Sequence, residues 1–180
     1  MRGQGSLDPA TLVFIDESSA KTNMTRLYGR APRGERVNCP CPHGHWRTTT
    51  MISSIRLDGS TACMTIDGPT DTEVFQAYVR EILCPTLRPG DCVIMDNLGT
   101  HKNSSTLALI AERKATVRFL PAYSPDLNPI ELMWSKVKSL LRAAEARTES
   151  ELTAAIGRAL SAVSPQDAIN FFANCGYSII

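Results

Sequence analysis

The chain has 180 residues, 43% of them hydrophobic and 21% charged, with a net charge of +1. That length fits one globular domain burying roughly two-thirds of its unfolded surface, and the charge balance gives no bulk sign of a nucleic-acid binder, so a basic face would have to be local. No apolar run reaches the ~18–20 residues that cross a membrane, and the start lacks the apolar stretch of a signal peptide, so a cytoplasmic location is expected.

In chain order, residues 1–10 read as a tail and 11–180 as a single domain. Thr11-Leu-Val-Phe-Ile15 is a short continuous apolar run, the mark of a strand covered on both faces, and Asp16 closes it. Residues 17–45 are polar and rich in Gly, Pro and Arg, which predicts a long irregular excursion. Trp46–Leu57 and Thr61–Ile66, separated by Asp58-Gly59-Ser60, predict a β-hairpin. Thr70-Asp-Thr-Glu73 has capping-box spacing. The helix behind it places Val74, Phe75, Tyr78, Val79, Ile82 and Leu83 on one face and ends near Pro85.

A strand over 92–95 follows, closed by Asp96, then a helix over 104–114 and a strand over 116–120. Asn128-Pro129 opens another helix with Ile130, Trp134, Val137 and Leu141 at core spacing. Thr148-Glu-Ser-Glu151 and Ser164-Pro-Gln-Asp167 predict N-caps for two closing helices, the last stopping at Gly176. Three meandering strands followed by crossovers imply a mixed sheet flanked by helices. The six cysteines (39, 41, 63, 84, 92 and 175) fall mostly inside these elements, as small buried residues do, and fit a reducing compartment better than a disulfide framework.

Three acids stand out. Asp16 and Asp96 each end an apolar run, on what such a sheet makes neighbouring strands. Glu131 lies on the first turn of a helix reached through Leu120-Pro-Ala-Tyr-Ser-Pro-Asp-Leu-Asn-Pro-Ile-Glu131. Magnesium prefers hard oxygen ligands, and two such ions about 4 Å apart serve phosphodiester chemistry. Each acid also has a plain reading. Glu131 can cap its own helix behind Asn128 and Pro129, and Asp96 can be a turn residue. Glu17 can replace Asp16, since neighbouring strand residues face opposite sides. His101 is a candidate to meet a scissile phosphate or orient a carboxylate, and Lys102 to meet phosphate. Lys136, Lys138, Arg142 and Arg147 form a candidate basic stripe for a phosphate backbone. Cys39, Cys41, His43 and His45 are too cramped for a structural zinc site and read better as a loop.

Phe14-Ile-Asp-Glu-Ser18, Met95-Asp-Asn-Leu-Gly-Thr-His101 and the Leu120–Glu131 segment together resemble the three catalytic blocks of mariner-type DDE transposases, nearest the bacterial insertion-sequence 630 branch. Between Asp96 and Glu131 lie 34 residues (97 through 130), a spacing typical of that superfamily. Pro42-His-Gly-His-Trp-Arg-Thr-Thr-Thr50 and Asn174-Cys-Gly-Tyr177 resemble further blocks of the branch, so the likeness runs over residues 11–177.

The resemblance implies a ribonuclease H-like, five-stranded mixed sheet with Asp16, Asp96 and Glu131 holding two Mg2+ or Mn2+ ions. It implies cleavage of transposon-end DNA and transfer of the freed 3′-hydroxyl to target DNA, without a covalent protein intermediate. It also implies a homodimer on double-stranded DNA near the nucleoid. Complete members carry N-terminal helix-turn-helix modules, so sequence-specific end recognition is expected here to be absent or supplied by another chain. The competing expectations are a ribonuclease H-like nuclease without transposition and an inactive remnant that binds DNA or assists assembly.

Overall fold

In the computed structural model, which describes residues 8–38 and 42–177, a five-stranded sheet has the order β3-β2-β1-β4-β5. The strands are β1 (Leu12–Lys21), β2 (Thr48–Ile55), β3 (Thr61–Asp67), β4 (Cys92–Met95) and β5 (Thr116–Phe119). β1, β2 and β3 form an antiparallel meander. β4 runs parallel to β1, and β5 parallel to β4, so the expected mixed sheet is present. The helices are α1 (Thr72–Tyr78), α2 (Ser104–Glu112), α3 (Pro129–Ala144), α4 (Glu149–Ser161) and α5 (Pro165–Asn174).

Alternation along β1 divides the core into two layers. Leu12 and Phe14, with Cys92 and Ile94 of β4, pack against α3, α4 and α5. Val13 and Ile15, with Val93 and Met95, pack against Phe75, Tyr78, Val79 and Leu83. Phe14 anchors α5 through edge-on contacts with Phe172 and Tyr177, at 5.3 and 5.1 Å between ring centroids. Even-numbered residues of β1 therefore face α3, and odd-numbered ones face α1.

Three local expectations are corrected. β1 does not stop at Asp16 but continues to Lys21, because β2 pairs with it as far as Lys21↔Thr48; that pairing lies outside the reach of a local apolar run. The cap of α1 is Asp71, whose carboxylate accepts from the Val74 N–H at 2.8 Å. A charged oxygen one position later displaces the Thr70 hydroxyl from that role. The apolar stretch behind it is no single helix. It passes into a π turn at Val79–Leu83 and a 3-10 turn at Cys84–Thr86, because Pro85 has no N–H to continue an α-helical ladder. Both closing caps are present as capping boxes at Thr148/Glu151 and Ser164/Asp167.

A buried ion pair ties the hairpin to the approach of β4. Arg56, just past β2, donates from Nη1 and Nη2 to the two Asp91 oxygens at 3.1 and 2.5 Å, and from Nη2 to the Thr86 carbonyl at 3.0 Å. The Arg88 N–H also donates to Asp91. Asp91 begins the run that delivers Asp96. Cys39 and Cys41 lie outside the described residues, and His43 and His45 are exposed on an irregular stretch before β2.

Candidate functional site

Carrying the β1–β4 register (Leu12↔Cys92, Phe14↔Ile94) two residues onward brings Asp16 level with Asp96. Both have the parity that faces α3. Glu131 sits in the first turn of α3, across the end of these strands. Asp16, Asp96 and Glu131 line one cavity of about 420 Å³, with Asn128, Leu98 and the Leu120–Pro125 segment completing its wall. Tyr123 stands at that rim, fully exposed and in the left-handed region with φ +57°, a conformation that tyrosine rarely adopts.

The approach to Glu131 is fixed from several directions. Pro125–Leu127 forms a 3-10 turn closed by Leu127 N–H to Ser124 O at 3.1 Å. The Tyr177 hydroxyl donates to the Leu127 carbonyl at 2.9 Å. Pro129 opens α3, where its missing N–H is harmless and its φ already suits a helix. Asn128 departs from the capping expectation. Its side chain makes no cap bond to α3; it is buried, and Nδ2 donates to Asp16 Oδ2 at 3.2 Å. The proline approach thus reaches across to the first acid.

The electrostatics single out Asp16. Burial pushes its carboxyl up to about 7, and Glu131, Glu17 and Asp96 add to the rise against the lowering effect of the Glu17 N–H bond. Asp96 accepts from the Leu98 N–H at 3.2 Å. His101 is wholly buried, stacked on Phe75 at 4.2 Å between centroids. Its Nε2 lies 3.0 Å from Glu17 Oε1 and its Nδ1 2.6 Å from Asp96 Oδ1. Burial works against the charged imidazole, but Glu17 and Asp96 hold its pKa above the ordinary value. A side chain without exposed surface does not touch a phosphate, so the expected DNA contact for His101 gives way to a bridge between two carboxylates. Glu17 joins that bridge on the α1 side of the sheet, away from the cavity that Asp16 lines.

The expected basic stripe divides. At about 100° per residue, Lys138 and Arg142, seven and eleven residues after Glu131, share its side of α3, and both are half-buried. Lys136 projects elsewhere and pairs with Asp167 of α5 at 2.5 Å. Arg147 donates to the Thr22 and Met24 carbonyls at 3.2 and 2.9 Å. Lys136 and Arg147 therefore both hold contacts within the fold, and Lys138 and Arg142 are the stripe residues on the Glu131 side of α3. Lys102 is exposed, with Nζ 5.7 Å from the Phe119 ring centroid.

Sequence reasoning did not find the Tyr177 hydroxyl bond, the Arg56–Asp91 pair or the pairing of Glu17 with His101. Strand alternation puts Glu17 opposite Asp16, but its partner lies 84 residues away.

A family model described as DDE superfamily endonuclease matches residues 11–153. The chain belongs to that family. The DDE endonuclease domain is also similar in structure to the Mos1 strand transfer complex, at 14% identity and a TM-score of 0.68, over 92% of this chain and 51% of that one. The Mos1 transposase catalytic domain with raltegravir and Mg matches at 12% identity and a TM-score of 0.62, over 94% and 80% of the two chains. The catalytic core of BIV integrase matches at 14% identity and a TM-score of 0.54, over 84% and 81%. This chain spans about half the length of the first of these. No curated protein matches it by sequence. The fold is ribonuclease H-like, as expected. No helix among the described residues is long and apolar enough to cross a membrane.

The site suits a hard divalent cation in its donor chemistry. Three carboxylates surround one cavity, and the most buried of them resists ionisation while no positive charge stands beside it. Among the described residues no three His, Cys, Asp or Glu side chains are already gathered into an ion-binding cluster.

Proposed function

We propose that this domain cleaves DNA at the ends of a mobile element and transfers the freed 3′-hydroxyl to target DNA, with Asp16, Asp96 and Glu131 as the ligands of two Mg2+ or Mn2+ ions. The observation that carries the reading is the meeting of these three acids on one cavity of a DDE endonuclease domain. When bound, the ions would supply Lewis-acid stabilisation of the attacking and leaving oxygens. To serve as a ligand Asp16 would give up its proton, and the bonds from Asn128 Nδ2 to its Oδ2 and from the Glu17 N–H to its Oδ1 hold the carboxylate in place. Glu131, held at the start of α3 by Pro129 and the Tyr177–Leu127 bond, faces Asp16 across the cavity. Lys138 and Arg142 extend from the Glu131 side of α3 to meet DNA phosphates, which positions the strand without reading its sequence, and exposed Lys102 adds a further phosphate contact.

Mos1 has been solved as a paired-end complex with a transposon end, which supports double-stranded DNA as the partner and two copies of this domain acting on paired ends. End recognition then falls to helix-turn-helix modules outside this domain, and the work is done on chromosomal DNA in the cytoplasm.

The test is a nicking and strand-transfer assay on end-containing DNA with Mg2+ or Mn2+, comparing the wild type with Asp96→Asn and Glu131→Gln. Both substitutions are expected to abolish metal-dependent nicking while the urea unfolding midpoint is kept. Full activity in Glu131→Gln would return that residue to helix capping. Nicking without strand transfer would make the domain a ribonuclease H-like nuclease.

A further inference from the structure

The three acids are held by different layers of the fold. Asp16 and Glu131 are fixed from the α3 side, through Asn128 and the first turn of the helix. Asp96 lies one residue past the end of β4, and its side chain is 38% exposed. Within its own loop it accepts only from the Leu98 N–H. From the α1 side its Oδ1 lies 2.6 Å from Nδ1 of the His101 ring, a close charge contact that is off the line of a hydrogen bond and leaves Nδ1 without another partner.

That ring has no freedom to move. It is 0% exposed, stacked on Phe75 and fixed at its far nitrogen by Glu17. Glu17 is itself anchored in β1, the strand that carries Asp16, so a rigid path runs from β1 through Glu17 and His101 to Asp96. We infer that Glu17 and His101 are a positioning pair that sets the direction of the Asp96 carboxylate relative to Asp16. This rests on the metal-site reading proposed above, and neither member touches the ions or the DNA. A partner that orients a ligand from behind contributes to affinity without binding the metal, and its loss typically weakens binding by about 10–100-fold.

The test uses the whole chain and Mn2+ alone, with the free ion followed by electron paramagnetic resonance. His101→Ala is expected to weaken Mn2+ binding by about ten-fold or more, and Glu17→Ala to act in the same direction. Glu17→Gln keeps an oxygen acceptor for the ring N–H and is expected to stay within about three-fold of the wild type, as partial retention of the oriented partner requires. Urea unfolding of each variant separates this effect from loss of fold, which would lower stability without changing the affinity of the folded molecules. Wild-type affinity in folded His101→Ala overturns the inference. Should that variant not fold, wild-type affinity in Glu17→Ala does the same. A wild-type chain that binds no Mn2+ overturns the metal-site reading first, and the positioning role with it.

Discussion

If Asp16 is held near neutrality by its surroundings, the metal-free protein must lose stability as pH rises. The direction follows from linkage: a carboxyl whose folded pKa lies above its unfolded one stabilises the fold at low pH, and that contribution disappears as pH passes the folded value. The ordinary value is 3.8 and the folded one about 7, an interval worth about 4 kcal/mol at ~1.4 kcal/mol per pH unit. About 2.5 kcal/mol of this falls between pH 5 and 8. The acids held below their ordinary range, Asp58, Asp91, Glu151 and Asp167, have finished titrating below that window. His101, with its pKa raised, contributes in the same direction as Asp16, so the wild-type slope alone does not identify the group. The comparison is urea unfolding at pH 5, 6, 7 and 8 without metal, for wild type and Asp16→Asn. The wild type is expected to weaken across the series, and the variant to lose most of that slope. Saturating Mg2+ at pH 8 should then raise wild-type stability, as a ligand of the folded state does, and leave the variant unchanged. Equal slopes in the two proteins would refute the placement of a near-neutral carboxyl at Asp16.

Asp91→Ala strips the buried Arg56 guanidinium of its bidentate partner and is expected to cost about 3–5 kcal/mol in urea unfolding; a loss below about 1 kcal/mol would show that water reaches the pair. Although burial opposes it, the bonds from Arg56 and Arg88 hold the Asp91 carboxyl below its ordinary range. Its contribution is therefore present above pH 3.8 and lost as pH falls through the lower folded value. Lys138→Ala and Arg142→Ala should each weaken DNA binding and flatten its salt dependence by about one counterion. Lys136→Ala, which breaks the contact with Asp167, should mainly lower stability, and an equal salt effect from it would restore the undivided stripe.

Much of the sheet was legible because its signals are local. The apolar runs of β1 and β4, the hairpin around Asp58-Gly59-Ser60 and the caps at Thr148 and Ser164 each rest on residues within a few positions of one another. The features that local sequence does not carry depend on distant partners. β1 outruns its apolar core because β2, some thirty residues on, pairs with its polar half. Lys136 reads as part of a basic face, and its contact with Asp167 of α5, 31 residues on, is invisible in local sequence. Strand order makes Asp16 and Asp96 neighbours, but their shared face needs the β1–β4 register, and the ring beside Asp96 and Glu17 needs a turn packed on α1 and Phe75.

Asn128 shows why local chemistry alone cannot decide between structure and function at this site. An asparagine before a proline and three residues before a glutamate satisfies every requirement of a capping box, and no residue nearby says otherwise. Its side chain instead bonds to a carboxylate 112 residues earlier, leaving the helix end to backbone bonds and Pro129. A helix of sixteen residues with a buried stripe from Ile130 to Leu141 draws most of its stability from packing, so it tolerates the loss of one cap worth ~1 kcal/mol. That tolerance releases Asn128 to orient Asp16 and leaves Glu131 facing the cavity, so that two polar residues of one helix start both serve the acid on β1.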